Sequence, residues 1–339
     1  MKLDTAFNDI KGVFNLCLRC RECTYGDWPE NYQLCPIHRY HRVFTASAGG
    51  LISLMAAVVQ GKIDYHPTMA EFAYQCTTCG TCDVCEVMPI RAPHTGPTEL
   101  IRFMRYQLVK RDLVPDRGIK EILKLVREKG DFPGEKVTAP QKDGNKQNTT
   151  LFAECLHSKD QLPLYQTTLK LLNKMGKSVG VFNHGGCSGS CLYDLGFWDE
   201  LSTLMAKRSQ DIEALAGRDV VFTNPHSQEF MVKRYPQISS GHREIAASHI
   251  SELLADALED GKLKVKNKKS IKVSYHDPCY LGRELGIYDA PRKVLSLLDG
   301  VELTEMKRNR RNAYCCGAGG GGRGKAFPEF SMWITTDRL

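Results

Sequence analysis

Cysteine supplies the chemistry in this chain. Four of its fourteen cysteines, Cys76, Cys79, Cys82 and Cys85, stand at a strict three-residue interval in CTTCGTCDVC. Thiols this close would close loops too short to restrain much of an unfolded chain, so disulfides between them would stabilise little. An earlier group lies in CLRCRECTYGDWPENYQLCP, which carries Cys17, Cys20 and Cys23 and then Cys35 followed by Pro36. Three more stand at Cys155, Cys187 and Cys191, and the last three at Cys279, Cys315 and Cys316. The opening residues MKLDTAFNDI have neither the basic patch nor the apolar run of a signal peptide, so a cytoplasmic location is expected. In that reducing compartment, crowded cysteines point to metal binding or redox chemistry.

Three cysteines at two-residue gaps followed by a fourth is the ferredoxin-type arrangement, in which the compact run wraps one cluster and the fourth cysteine ligates the other. This pattern pairs Cys17, Cys20 and Cys23 with Cys85, and Cys76, Cys79 and Cys82 with Cys35. Two [4Fe–4S] clusters are the expected cofactors. The competing reading is a pair of four-cysteine zinc sites. Zinc sites usually present two C-x-x-C pairs across a loop, whereas each run here offers three or four consecutive ligands. Both runs depart from the usual C-x-x-x-C-P ending, because Cys35 comes 12 residues after Cys23 and Cys85 only three after Cys82.

With 339 residues, 42% of them hydrophobic, the chain has room for a sizeable core and for two or three domains. The fold class expected is α+β: a mostly helical N-terminal domain with two clusters, then an α/β domain in two pseudo-repeated halves. Residues 1–128 form the helical part, with helices over AGGLISLMAAVV, around TMAEFAYQ and over TELIRFMRYQLVKRDL. The last has an apolar face with Arg and Lys expected on the other side. The polar, Gly- and Pro-containing stretch 129–150 reads as a linker or surface excursion. In 151–339, SVGVFN, DVVFTNP and IKVSYHDP read as strands and 164–175, 245–258 and 291–298 as helices, an alternation that suggests a largely parallel sheet. HGGC and HDPC stand where such strands end, the usual place for a site in open α/β sheets. Histidines near these loops (His157, His184, His226, His276) are expected to support by hydrogen bonding rather than to ligate. The longest apolar stretch has 12 residues, too short for the ~20 of a membrane helix.

The glycine-rich segment YCCGAGGGGRGK fits G-x-G-x-x-G, but two cysteines precede it and Asp337 is the only placed acid, two residues from the last. It also nearly fits G-x-x-x-x-G-K, yet Ala326 stands where a Ser or Thr must bind Mg²⁺. Dinucleotide binding and nucleotide hydrolysis are therefore set aside. Beside adjacent thiols, Gly317 and Gly319 instead suit a backbone that approaches a cluster and aims N–H groups at sulfur.

HDPCYLGRELGIYDAPRKVL followed by YCCGAGGGGR resembles the cysteine-rich CCG domain of heterodisulfide reductase D-like iron–sulfur proteins. CTYGDWPENYQLCP and CTTCGTCDVC resemble the ferredoxin-like domain that precedes it in that family. The resemblance implies an electron-transfer subunit of an anaerobic multi-subunit oxidoreductase, with flavin- or iron–sulfur-containing redox subunits as partners and any membrane association made through them. It also implies a third cluster in the CCG domain, for which Cys279, Cys315, Cys316, Cys191, Cys187 and Cys155 are candidate ligands. The alternative function is disulfide reduction at that site. Against the family pattern, the first half (151–262) is degenerate: Gly186 replaces one of the adjacent cysteines, and TNPHS stands where Cys-Pro-x-Cys would follow. The second half (263–339) reads as incomplete, since no Cys-x-x-Cys follows Cys316 in these residues, and a longer chain or a partner is expected to complete the site. Net charge is +7, from 46 basic and 39 acidic residues. Two or three clusters, each counted with its thiolates at about −2, would reduce this to roughly +1 to +3. The basic excess then calls for no nucleic acid.

Overall fold

The computed structural model describes residues 10–25, 33–85, 96–131, 148–155, 159–239, 244–265 and 270–339. Most of the 129–150 stretch, and His157, lie outside them. The fold mixes α and β structure, as the sequence predicts, with every paired strand parallel among the described residues. The chain divides into two compact units. One comprises Lys2–Gly130, Ser190–Thr203 and Arg310–Leu339, and the other Asp131–Gly189 and Leu204–Asn309.

The first of these, the helical unit, is built on helices Ala48–Val59, Pro67–Gln75, Pro97–Val109, Ile119–Lys129 and Pro328–Arg338. Their ends follow local chemistry. Ser47 caps the first, its Oγ accepting from the Gly50 N–H at 3.1 Å. Proline opens the second, third and fifth, where its missing N–H costs nothing. Gly130, in left-handed conformation, ends the fourth.

Helix Pro97–Val109 corrects the sequence reading. It was expected to turn a basic face to solvent, yet 12 of its 13 residues are buried, Arg102 and Arg105 among them. Arg102 is enclosed because it finds carboxylates inside its unit, Asp194 at 2.7 Å and Glu99 at 3.1 Å. Arg105 is enclosed by backbone: it donates to the carbonyls of Ala73, Cys76 and Asp194. Long basic side chains are almost never fully buried unless paired, so the helical period alone misplaced them.

In the other unit, the sheet unit, strands β1 (Thr149–Phe152), β2 (Val179–Phe182), β3 (Asp219–Phe222) and β4 (Ala246–His249) form a parallel sheet in the order β2-β1-β3-β4. β1 begins inside the stretch read as a linker: Thr149 and Thr150 are buried between β2 and β3, a setting that suits β-branched residues. Phe152 pairs in register with Phe182 and Phe222, and its ring lies 4.9 and 4.7 Å from theirs. Helix Leu162–Lys174 packs Tyr165 and Leu172 into a core with Leu151, Ala153 and Val221. β5 (Ile271–Val273) and β6 (Val301–Leu303) form a separate two-stranded parallel sheet, with helix Asp289–Ser296 between them in the chain.

The helix expected over 245–258 starts only at Ile250; the residues before it pair with β3 as β4. His249 makes the change of state. Its Nδ1 accepts from the Ser251 N–H at 3.3 Å, while its own N–H donates to Glu252 at 2.8 Å, a capping box. Burial lowers this imidazole to about 4, against about 6.5 in an unfolded chain. The folded-state value is the lower one, so the stability it carries is complete above pH 6.5 and is lost as pH falls toward 4. The loss is expected to reach about 3 kcal/mol. Denaturant midpoints of the chain and of His249→Asn at pH 7 and pH 4.5 check this: the variant should show the smaller drop.

Candidate metal centres

Within the helical unit, Cys17, Cys20, Cys23 and Cys85 line one hollow, walled also by Gly49, Ile52 and Pro97. The run turns on itself through left-handed backbone at Arg19 and Arg21. Gly49, near the start of helix Ala48–Val59, aims its N–H at the Cys23 sulfur. A side chain there would press on that sulfur, since a Cβ would stand 3.2 Å from it. Burial pushes the Cys23 thiol up to about 11. A thiol held this way becomes a thiolate only against bound metal.

The second run bends through left-handed Thr78 and Gly80. Cys79 and Cys82 are buried, as is Cys35 at the start of helix Pro36–His41. Burial raises Cys35 and Cys82, with neighbouring Cys76 adding to Cys35 and Asp83 to Cys82. Two arginines, Arg105 and Arg323, stand beside the Cys76 thiol and act against its burial. Cys315 reaches the same loop, its Sγ 3.3 Å from Thr77 Oγ1 and its thiol hydrogen-bonded to Cys316 and Cys79.

The spread of the thiols decides between one ion and a cluster. A tetrahedral zinc with Zn–S of about 2.3 Å holds its sulfurs about 3.8 Å apart. Among the described residues, no three of the eight N-terminal cysteines have sulfurs all within 4.8 Å of one another. The sets are wider than a single ion gathers, which favours a cluster over one ion.

The remaining candidates divide between the units. In the sheet unit, Cys155 and Cys187 lie 3.8 Å apart. Cys155 accepts from the Ser188 N–H at 3.2 Å, and Cys187 from that of Gly189 at 3.3 Å. Cys279 is half-buried before the turn Tyr280–Glu284. In the helical unit, Cys191 is buried on helix Ser190–Leu195, Cys315 is buried and Cys316 is half-buried. Gly317 and Gly319 both take positive φ. A Cβ on Gly317 would come within 2.6 Å of the Ser331 carbonyl, and one on Gly319 within 2.9 Å of the Arg323 guanidinium. Of the histidines, His184 joins Glu154 at 2.9 Å and Asp211 at 3.0 Å, and His226 stacks on Tyr280.

At Gly186 the packing leaves no room for a side chain. A Cβ there would overlap the Asp131 carboxylate, which accepts from the Cys187 N–H at 3.1 Å and pairs with Arg208. Gly186→Cys therefore should not rebuild a thiol pair. It should displace Asp131 and cost about 1–3 kcal/mol, read as a lower denaturant midpoint. An unchanged midpoint would contradict this packing.

Sequence reasoning missed Arg105, Arg323 and Thr77. No local signal marks them, because Arg323 meets Thr77 across 246 residues and Arg105 meets Cys76 across 29.

Thiol sets of this width on tight, left-handed loops define an iron–sulfur protein, with sites that fit [4Fe–4S] clusters. Residues 273–335 match the CCG family, the cysteine-rich domain. The dihydromethanophenazine:CoB–CoM heterodisulfide reductase of Methanosarcina barkeri has a D-type polypeptide that is 30% identical over 348 residues, covering 95% of this chain and 82% of that one. Its counterpart in Methanosarcina mazei is 28% identical over 346 residues, with the same coverage. A Bacillus subtilis protein named "Probable iron-sulfur-binding oxidoreductase FadF" is 35% identical over 153 residues, 45% of this chain and 21% of that one. No solved structure matches. The chain belongs to the heterodisulfide reductase D family, and its role is in electron transfer. Among the described residues, no helix is long and apolar enough to cross a membrane.

Proposed function

We propose that this chain is the electron-carrying subunit of an anaerobic multi-subunit oxidoreductase, with one [4Fe–4S] cluster held by Cys17, Cys20, Cys23 and Cys85 and a second by Cys76, Cys79, Cys82 and Cys35. The hollow that gathers Cys85 with the Cys17 run carries this reading, because it joins ligands from two separate runs. Bound there, the clusters supply one-electron storage and transfer. The chain's residues supply the rest: the cysteines fix the positions, Ile52 and Pro97 wall the first site, and Thr77 and Thr81 place hydroxyls within 3.4 Å of the Cys315 and Cys79 sulfurs. Residues 1–128 and 151–339 are the proposed modules of descent, joined by 129–150.

Cys155, Cys187, Cys191, Cys279, Cys315 and Cys316 remain the proposed ligands of a CCG-domain cluster, with Gly317 and Gly319 shaping the loop. Cys191 follows Cys187 by only four residues, so chain length alone keeps their Cα atoms within about 14 Å. Partner subunits with flavin or iron–sulfur groups donate and accept the electrons, and any membrane association is through them. Catalytic disulfide reduction at the CCG site is the second reading, favoured by the heterodisulfide reductase relatives.

Rapid mixing of the dithionite-reduced full chain with a low-molecular-weight disulfide tests the choice. The relay predicts slow reoxidation and no turnover without a partner fraction. Sustained turnover by the chain alone, lost in Cys315→Ser, would move the catalysis into this chain.

A further inference from the structure

The two cysteine runs of the helical unit differ in the charges around them. Beside the Cys17 run, Arg19 and Arg21 are exposed, so water screens them. Beside the Cys76 run stand two buried guanidinium groups, Arg105 at 0% and Arg323 at 3% exposure. Neither has a carboxylate at ion-pair distance among the described residues; Asp194, whose charge favours the Arg105 cation from further off, is itself paired with Arg102 at 2.7 Å. Arg105 donates to backbone carbonyls alone, that of Cys76 included. Arg323 donates to Gly320 O at 3.1 Å, Thr77 O at 2.8 Å and Thr78 Oγ1 at 3.1 Å. Its Nη1 is buried with no hydrogen-bond partner.

Buried cations are ordinarily paired, because desolvation otherwise goes uncompensated. Two of them, one with an unanswered donor, require an anion close by. The thiolates of the Cys76 run, of which both arginines favour that of Cys76, and an iron–sulfur core bound to them would supply it. The glycine-rich segment serves the same end: Gly319, at φ +61°, leaves the space in which the Arg323 guanidinium lies.

We propose that Arg105 and Arg323 are the built-in counter-charge of the cluster at Cys76, Cys79, Cys82 and Cys35, that they raise its reduction potential above that of the cluster at Cys17, Cys20, Cys23 and Cys85, and that a single electron entering the chain therefore rests there. This inference depends on the two-cluster reading above. Adding one electron makes the cluster more negative by one charge, and a nearby positive charge that water does not screen favours that state. Both arginines act through the cluster's surroundings and touch no substrate, so the readout is a potential rather than activity.

The test is a potentiometric titration of the anaerobically loaded full chain, with dithionite as the one-electron donor and paramagnetic resonance as the monitor. The N-terminal clusters of the unaltered chain should show two midpoints. Arg323→Gln should lower the higher one by about 59 mV or more, a tenfold change in the reduction equilibrium constant, and leave the lower one in place. Arg323→Lys, which keeps the charge and loses the fork, should lower the same midpoint by less, and it carries the test if Arg323→Gln takes up too little iron. Unchanged midpoints at full iron content, or a shift of the lower one alone, would overturn the proposal. Unaltered chain that takes up no iron would instead overturn the cluster reading on which it rests.

Discussion

Cys85→Ser should empty the site of the Cys17 run and spare that of its own. Cys85 stands three residues from Cys82, and local reasoning would assign it to the cluster of its neighbours. In the structure it lines the hollow of Cys17, Cys20 and Cys23. Iron in the anaerobically loaded chain is expected to fall by about four per chain. Pairs of substitutions show which site is lost. Cys85→Ser combined with Cys20→Ser should lose no more iron than either alone, since both remove ligands of one cluster. Combined with Cys79→Ser it should lose about eight, both N-terminal clusters. The reverse pattern, the larger loss with Cys20→Ser and the smaller with Cys79→Ser, would mean that the crossed pairing is wrong.

Arg102→Met is expected to be the most destabilising single substitution outside the cysteines. The guanidinium lies between Asp194 and Glu99, and the side chains of all three are at most 7% exposed. Glu99 is further tied to the Tyr193 hydroxyl and Asp194 to that of Thr78. Removing the cation strands two buried carboxylates, and breaking such a pair costs about 3–5 kcal/mol. The exposed pair Lys110–Asp199 provides the contrast: its side chains are 50% and 57% exposed, and Lys110→Ala should change stability by no more than about 1 kcal/mol. Denaturant midpoints of the loaded chain check both. A loss at Arg102 no larger than at Lys110 would mean that the network is not closed off from water.

Much of the candidate site was legible because its ligands are consecutive. A run such as Cys76, Cys79 and Cys82 announces a shared metal centre through spacing alone, and the strands β2, β3 and β5 announced themselves by short apolar runs ending at the loops of Cys187, Asn224 and Cys279. What stayed hidden depends on distant partners. Arg102 reads as a surface residue until Asp194, 92 residues further on, is folded against it. β4 reads as the start of a helix because Ala-Ala-Ser carries little strand signal, and pairing with β3 decides its state. Gly186 reads as a lost cysteine, whereas its conformational neighbour is the Asp131 carboxylate, 55 residues earlier in the chain. In the glycine-rich segment 317–324 the Gly317 N–H lies 3.4 Å from the Cys315 sulfur, as the adjacent thiols suggest, and the segment is also tightly packed. Its glycines at 317, 321 and 324 make close approaches to Ser331, Leu195 and Ala318, a packing requirement that no motif encodes.

The central claim is that eight N-terminal cysteines hold two iron–sulfur clusters, and the most direct measurement is anaerobic quantification of iron and acid-labile sulfide in the full chain, read together with its paramagnetic resonance after reduction. Two clusters require at least about eight irons and eight sulfides per chain, with two interacting cubane signals. A colourless chain carrying about two zinc ions and no sulfide would contradict the claim.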